Sequence, residues 1–425
     1  MINIKTNLPG PRSIKILEKL KKLNGGYFDP YPYVHSNKGK GCYFYDLDNN
    51  LFLDFASQIA SNPLGYNHKE LIQIIKKYSR NSPVKYAGQD FAVKEHVELL
   101  EELLSITFKD LNAAFLINSG AEAVENAIKI CMRSREKAKF GIAFEKSFHG
   151  RTIGALSLTH SKELYTRDYL TIPNKTLPYN ENFVDEFKKL LKNYSSEEIA
   201  FVIVEPIQGE GGYNIASKKM IQDLRKITYE NNIPLISDEV QSGMGRTGKW
   251  WAIENFDVMP DVMSAAKALQ VGAVIANRKM FPESGAISST WGGGHLIDLA
   301  IGKRIIEIIK KEKLLDNINK QGKYLRKRLN EICLENVRGL GLMNAFDLKN
   351  KEERNNLVIE CLKNGLVLLG CGEKSIRIIP PYIISEKEID EGINIIEMSY
   401  NKINENGFRH KGSICNYMNC GEHSA

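Results

Sequence analysis

Long apolar runs are missing from this sequence. No stretch reaches the roughly 18 uninterrupted apolar residues that a membrane helix needs. The N-terminus has no apolar core followed by a small-residue cleavage site, which a secretory signal peptide would show. We therefore expect a cytoplasmic protein that has no membrane partner.

Cysteine is sparse as well. Seven cysteines at irregular spacing in 425 residues do not form the pattern of a disulfide framework. Four residues near the C-terminus could in principle bind a metal, namely His410, Cys415, Cys420 and His423. Their spacing matches no standard zinc module, so we predict no metal site.

Charge of one sign is not concentrated in any segment. The formal net charge is +7, but acidic residues are interleaved with the lysines. This favours a solvated surface over a nucleic-acid-binding patch. With 43% apolar residues the chain can bury a sizeable core, and its length indicates a large domain with one or two smaller ones.

The hydrophobic pattern predicts the fold class. Between residues 65 and 297 short apolar runs alternate with helical patterns, which indicates βαβ units. We predict an α/β fold with a mostly parallel central sheet in this large domain. The predicted strands cover residues 114–117, 201–204, 235–237 and 273–276.

The remaining segments have different patterns. Residues 1–64 are predicted to form an N-terminal arm and a hairpin, which turns at Asp48-Asn49-Asn50 and belongs to a small domain. Residues 298–405 have two long helical patterns followed by strands, so we predict a smaller C-terminal α+β domain. Periodicity is lost beyond it, and residues 406–425 are predicted to be a disordered tail.

Two local patterns could bind parts of a cofactor. In Ser119-Gly120-Ala121 a strand turns into a helix, where backbone N–H groups and the helix dipole favour a phosphate, although such junctions occur in most α/β proteins. In Phe148-His149-Gly150-Arg151 the aromatic ring could stack on a planar group and the arginine could bind a carboxylate. Ordinary packing of an aromatic beside a surface arginine would give the same pattern.

Two further residues could carry chemistry. Asp238 ends an apolar strand, where α/β sheets bind ligands, but an acid there is also a common helix cap or metal ligand. Lys267 is flanked by small and apolar residues, and a desolvated amine suits a Schiff base. A lysine that snorkels from a half-buried helix would look the same. Together, a phosphate cradle, a stacking ring, a carboxylate and a lysine are what pyridoxal phosphate needs.

The same residues stand in motifs that resemble a known family, the class III aminotransferases of the PLP-dependent transferase fold type I. The resemblance covers roughly residues 8–400 in the family's order. Its motifs are Ser119-Gly120-Ala121-Glu122-Ala123-Val124-Glu125-Asn126-Ala127, Phe148-His149-Gly150-Arg151-Thr152, Glu205-Pro206-Ile207-Gln208-Gly209-Glu210-Gly211-Gly212, Asp238-Glu239-Val240-Gln241 and Thr290-Trp291-Gly292-Gly293.

The resemblance implies roles toward pyridoxal 5'-phosphate. Lys267 would form the Schiff base and carry the proton, and Asp238 would pair with the ring nitrogen. The other implied cofactor-binding residues are Ser119, Gly120 and Ala121 at the phosphate, Phe148, His149 and Gln241 at the ring, and Thr290 at the phosphate of a neighbouring subunit. Sharing of this kind implies a homodimer.

The resemblance also implies an amino donor and 2-oxoglutarate as substrates. Arg377 would bind the α-carboxylate of glutamate, Glu205 would mask that arginine when an omega-amine occupies the site, and Arg151 would hold the far carboxylate of the donor. Motif details such as Lys267 followed by Gln270-Val271 are most similar to the L-lysine 6-aminotransferases. Lysine is therefore the expected donor, with 4-aminobutyrate, ornithine and acetylornithine as alternatives. An amino-acid racemase of the same fold, or a binding protein that keeps the fold, would be rivals.

Overall fold

The computed structural model describes residues 2–25, 30–80, 83–410 and 412–418. By its internal contacts the chain divides into two compact units. The smaller unit takes its described residues from 1–69 and 317–425, and the larger unit takes its described residues from 70–316.

The strands, numbered along the chain, are β1 (His35–Lys40), β2 (Tyr43–Asp46), β3 (Leu51–Asp54), β4 (Ala113–Ile117), β5 (Phe140–Phe144), β6 (Asn174–Leu177), β7 (Ile199–Val204), β8 (Leu235–Asp238), β9 (Val262–Ala265), β10 (Gly272–Ala276), β11 (Glu335–Leu340), β12 (Met343–Asp347), β13 (Leu366–Val367), β14 (Leu369–Cys371) and β15 (Ser375–Ile378).

The helices are α1 (Pro11–Leu23), α2 (Ser57–Ala60), α3 (Lys69–Tyr78), α4 (Lys94–Leu104), α5 (Gly120–Arg133), α6 (Ile153–Ser157), α7 (Phe183–Asn193), α8 (Lys218–Glu230), α9 (Leu296–Lys311), α10 (Leu314–Glu331), α11 (Lys351–Lys363) and α12 (Glu386–Ile403). The four residues of α2 have positive φ and form a left-handed turn. Among the described helices, none combines the length and the apolar character that a bilayer crossing requires.

The larger unit is built on a seven-stranded sheet with the order β4-β10-β9-β8-β7-β5-β6. Only β10 runs against its neighbours, and the other six strands point the same way. All six residues of β7 are buried, as expected for a parallel strand that is covered on both faces. Val202 and Val204 pack in one core cluster while Phe201 and Ile203 pack in another, because successive side chains point to opposite faces.

The predicted fold class is confirmed, and the four predicted strands lie within β4, β7, β8 and β10. The helix predicted after Gly120 is α5, which contributes Val124, Ala127 and Ile128 to a core cluster. The strands β5, β6 and β9 were not among the predicted ones. The short apolar run of β9 matters most among them, because it leads into Lys267.

The smaller unit contains two four-stranded sheets, β1-β2-β3-β13 and β11-β12-β15-β14. The predicted hairpin is formed by β2 and β3, which pair antiparallel. In its turn Asp46 Oδ1 accepts hydrogen bonds from the backbone N–H groups of Asp48 at 2.9 Å and Asn50 at 2.8 Å. Asn49 has a φ of +61°, a conformation that asparagine tolerates better than most residues.

The helix α9 belongs to the larger unit, whereas the sequence-based boundary at 297 assigned it to the small domain. Its residues Leu299 and Ile306 pack in the same core cluster as Leu99 and Leu103 of α4. Lys303 Nζ also lies 2.9 Å from Glu98 Oε2. Periodicity identified the helix, but it could not identify the surface that covers the apolar face.

Among residues 406–410 and 412–418, which the structure describes, part of the predicted disordered tail is ordered. Residues Ser413–Asn416 form a short 3-10 helix, and Ile414 is buried among Phe44, Phe52 and Leu362. Of the four candidate metal ligands near the C-terminus, Cys420 and His423 lie outside the described residues. Where the chain is described, no group of three or more potential ligand side chains is close enough to hold a metal ion.

We expect Ile414→Ala to lower the free energy of unfolding of the smaller unit by about 2–5 kcal/mol, since it removes a buried side chain from a packed cluster. The matched control is Ile16→Ala on the exposed side of α1, which should change stability by less than about 0.5 kcal/mol. Thermal and urea unfolding of both variants would test this. If both substitutions had equally small effects on stability, the prediction of a disordered tail would be supported instead.

Candidate active site

The centre of the site is the carboxyl end of β8. Asp238 is only 5% exposed, and its Oδ1 accepts hydrogen bonds from Ser264 Oγ at 3.1 Å and from the Val240 N–H at 3.0 Å. Its Oδ2 lies 2.7 Å from His149 Nδ1. A buried carboxylate is stable only when it is hydrogen-bonded, so these contacts both permit its burial and set its orientation.

His149 stands behind Asp238 in the loop that follows β5. Its backbone N–H donates to Thr159 Oγ1 at 3.0 Å. Within the described parts of the chain, its buried Nε2 has no hydrogen-bond partner. The next residue, Gly150, has a φ of +139°, and a Cβ there would lie 2.9 Å from Ala121 Cβ. Glycine therefore allows this loop to pack against the start of α5.

The start of α5 lies beside the end of β8. Ser119 caps the helix by accepting a hydrogen bond from the Glu122 N–H at 3.2 Å. Gly120 and Ala121 follow in the first turn, where backbone N–H groups have no partner within the helix. A Cβ on Gly120 would lie 2.7 Å from Val240 Cγ1, so the close approach needs glycine. Free N–H groups and the helix dipole at such a turn favour an anion.

Glu125 joins the first two motifs, a role that sequence reasoning missed. Its Oε1 accepts hydrogen bonds from Thr152 Oγ1 at 2.6 Å, the Gly154 N–H at 2.8 Å and the Ala155 N–H at 3.1 Å. These contacts cap α6 and hold the residues next to Arg151. The available signal was an acidic residue at a fixed place in the helix motif, but its partner lies 27 residues away.

Lys267 follows β9 and is half-buried. Its φ of +45° is uncommon for a residue with a side chain. Its carbonyl accepts a hydrogen bond from Gln270 Nε2 at 2.9 Å, and α9 packs so closely that a Cβ on Gly302 would lie 2.5 Å from the Leu269 carbonyl oxygen. The strands β8 and β9 pair with Asp238 opposite Ser264. Lys267 comes three residues after Ser264, so it follows the strand end next to Asp238.

Glu205 lies at the end of β7, next to the same loop. Its two oxygens accept hydrogen bonds from the Phe148 N–H and the Gly209 N–H, both at 2.9 Å. Burial, together with the negative charge of Asp238, raises the pKa of Glu205 to about 7, against the lowering effects of His149 and of these two hydrogen bonds. The charge of this carboxyl therefore changes near neutral pH.

Gln241 and Arg151 have different surroundings. Gln241 Oε1 accepts a hydrogen bond from Tyr213 OH at 2.8 Å. The exposed guanidinium of Arg151 lies over the rings of Tyr165 and Phe148, with its carbon 5.0 and 5.8 Å from the ring centroids. It makes no hydrogen bond or ion pair with any residue that the structure describes.

Thr290 and Arg377 are the remaining predicted site residues. Thr290 is exposed on the larger unit, where its carbonyl oxygen accepts a hydrogen bond from the Gly88 N–H at 3.0 Å. Arg377 is a buried residue of β15 in the smaller unit, opposite Ala345 of β12 and Leu369 of β14. All the other predicted site residues belong to the larger unit.

Glu239 is a second residue whose role was missed. Oε1 of this fully buried carboxyl accepts a hydrogen bond from the Ile253 N–H at 2.8 Å, and Oε2 accepts from the Ala252 N–H and Ser242 Oγ, both at 2.9 Å. These contacts hold the segment that follows Asp238 against residues 252 and 253. Burial raises the pKa of Glu239 to about 7, against these hydrogen bonds, which lower it.

This arrangement fits pyridoxal phosphate. The first turn of α5 provides N–H groups for a phosphate, Asp238 is fixed by three contacts, and Lys267 projects from the adjacent strand end. A fold of type I with such a site defines a class of pyridoxal-phosphate enzymes. Residues 29–399 match the family model described as aminotransferase class-III, and the chain belongs to this family. The predicted family and its cofactor are confirmed.

This chain is similar to aminotransferases that are named for different donors. The chain is 36% identical to an acetylornithine aminotransferase of Archaeoglobus fulgidus, over 84% of this chain and 93% of that protein. It is 31% identical to a 4-aminobutyrate aminotransferase of Dictyostelium discoideum, over 95% and 92%. Among solved structures, lysine aminotransferase from M. tuberculosis has a TM-score of 0.85 at 27% identity, covering 90% of this chain and 99% of that one. These findings favour the acetylornithine alternative over the expected lysine.

We expect the unfolding free energy of the wild type to fall between pH 4.5 and 7 relative to that of Glu239→Gln. A carboxyl whose pKa is raised by folding binds more protons in the folded state, so stability declines as the pH rises from its unfolded pKa to about 7. Glutamine keeps only one of the two oxygens that accept from the buried N–H groups, but it does not titrate, so the pH dependence of this variant provides the reference curve. Urea titrations of both proteins across this range measure the difference, and parallel pH curves would contradict the assignment.

Proposed function

We propose that this enzyme transfers the terminal amine of an omega-amino acid, with N2-acetylornithine as the first candidate, to 2-oxoglutarate. The products are a semialdehyde and glutamate. The observation that carries the proposal is the pairing of β8 with β9, which brings the fixed carboxylate of Asp238 and the amine of Lys267 to adjacent strand ends. The relatives of 36% and 31% identity support a donor with a terminal amine.

The candidate site residues of the larger unit have separate proposed roles. When bound, pyridoxal phosphate supplies a carbonyl for the amine and a ring that accepts the electrons of a deprotonated carbon. Asp238 keeps the proton on the ring nitrogen, and His149 orients Asp238. Lys267 Nζ takes the proton from the amine-bearing carbon of the substrate and delivers it to the cofactor. Its tether to β9 provides the proximity that accounts for much of the rate.

The remaining residues bind and orient. Ser119, Gly120 and Ala121 would hold the phosphate, Phe148 would cover one face of the ring, and Gln241, which accepts a hydrogen bond from Tyr213, would contact the ring hydroxyl.

Two arginines are proposed to bind substrate carboxylates. Arg377 takes the α-carboxylate of glutamate and Arg151 the carboxylate of the donor. Glu205 can gain or lose a proton when the substrate changes, because its pKa is about 7.

We also propose a homodimer with shared sites. Support comes from an exposed surface formed by two bonded segments, in which the Gly88 N–H donates to the Thr290 carbonyl and the Ser289 N–H donates to Gln89 Oε1. Phe91 and Trp291 on these segments are 65% and 44% exposed. Large exposed apolar groups of this kind are typical of subunit contacts.

A donor panel tests the substrate. With 2-oxoglutarate as the acceptor, we expect glutamate to form fastest from N2-acetylornithine among acetylornithine, ornithine, 4-aminobutyrate and lysine, in line with the most similar relatives reported above. A highest kcat/KM for lysine would restore the initial expectation. Isomerised amino acid without any glutamate would point to a racemase.

Lys267→Ala should reduce kcat by at least about 10²–10⁴-fold, since it removes the proton carrier. The fold should be retained because the side chain is only half-buried. Lys279→Ala is a matched control, for it changes an exposed lysine that follows the next strand, β10. Steady-state kinetics and a thermal melt of both variants are the measurements. An active Lys267→Ala enzyme would refute the proposed mechanism.

A further inference from the structure

We infer that Tyr165 is a positioning residue that fixes Arg151 and thereby sets the preference for donors that carry a carboxylate. This inference deepens the proposed function and rests on the proposed role of Arg151 as a carboxylate ligand.

The first observation is the aromatic setting of the guanidinium. Its carbon lies 5.0 Å from the centroid of the Tyr165 ring and 5.8 Å from that of Phe148. The two rings meet edge to face, with centroids 5.9 Å apart and an interplanar angle of 71°. A guanidinium over an aromatic face is held by cation–π attraction and keeps its N–H donors at the edge of its plane. Arg151 can therefore present a preformed fork to a carboxylate.

The second observation is that Tyr165 is itself held from the other side. It ends the 3-10 helix Glu163–Tyr165, and its hydroxyl accepts a hydrogen bond from Lys162 Nζ at 3.2 Å. Lys162 Nζ also donates to Glu210 Oε1 at 2.7 Å. Glu210 belongs to the glycine-rich segment that follows Glu205 at the end of β7. The sheet edge thus connects through Glu210, Lys162 and Tyr165 to Arg151.

Burial of apolar side chains does not hold the 3-10 helix Glu163–Tyr165 in position. Leu164 is 69% exposed, and Leu170 a few residues later is 90% exposed. The contacts of Tyr165 with Arg151 and Lys162, together with the Lys162–Glu210 ion pair, therefore attach the segment to the site. Loss of the ring should loosen Arg151 and weaken its hold on the carboxylate, while Asp238 and Lys267 stay in place.

The experiment uses two donors that differ only in the carboxylate, N2-acetylornithine and N-acetylputrescine. In the holoenzyme, Tyr165→Leu should raise KM for acetylornithine about 2–5-fold at nearly constant kcat, and leave KM for N-acetylputrescine unchanged. Tyr165→Phe keeps the ring and should stay within about 2-fold of the wild type. The control is Tyr169→Leu, an exposed tyrosine of the same segment, which should match the wild type.

A double variant shows whether Tyr165 acts through Arg151. In an Arg151→Met background, Tyr165→Leu should produce no further change in KM, since the group it positions is gone. Independent effects in the double variant, or equal changes in KM for both donors, would overturn the inference and indicate a merely structural tyrosine.

A binding measurement separates this inference from the proposed function. Calorimetry with glutarate, an unreactive dicarboxylate, measures the carboxylate site without turnover. We expect Arg151→Met and Tyr165→Leu each to weaken glutarate binding, the latter about 2–5-fold. A Kd unchanged by Arg151→Met would overturn the proposed role of Arg151. A Kd weakened by Arg151→Met but unchanged by Tyr165→Leu would overturn the inference alone.

Discussion

Asp238 is a carboxylate at the end of a buried strand, and burial of such a charge is costly unless both oxygens have partners. The partners come from separate parts of the larger unit: His149 from the loop after β5, Ser264 from β9 and the Val240 N–H from the turn after β8. Each of them brings its neighbours to the same sheet edge. The need to satisfy one buried carboxylate therefore organises the site.

The parallel strands determine what else reaches that edge. Glu205 follows β7 and Lys267 follows β9, so both flank Asp238 because strands of the same direction end together. Glycine permits the close contacts that complete the site, as at Gly120, where a Cβ would meet Val240. The first turn of α5 is thereby held beside the carboxylate.

The sequence predicted the parts of this site that lie in local motifs, but not the contacts between them. Periodicity identified the helix after Gly120 and the strand before Asp238, since both signals arise within a few residues. The roles of Glu125, Glu239 and Tyr165 depend on partners that topology brings together, and neighbouring residues do not reveal them. For the same reason, sequence reasoning did not identify the surface that covers α9 or the burial of Ile414. Motif details favoured lysine, whereas the acetylornithine aminotransferase is 36% identical to this chain and the lysine aminotransferase 27%.

The central claim is that Lys267 and Asp238 support a transamination in two half-reactions. The most direct test is a single turnover of the holoenzyme with the amine donor alone. Without 2-oxoglutarate, the account predicts one equivalent of semialdehyde per active site and then arrest, with further product only after the keto acid is added. Continued product formation without any keto acid, or isomerised donor in place of the semialdehyde, would contradict it.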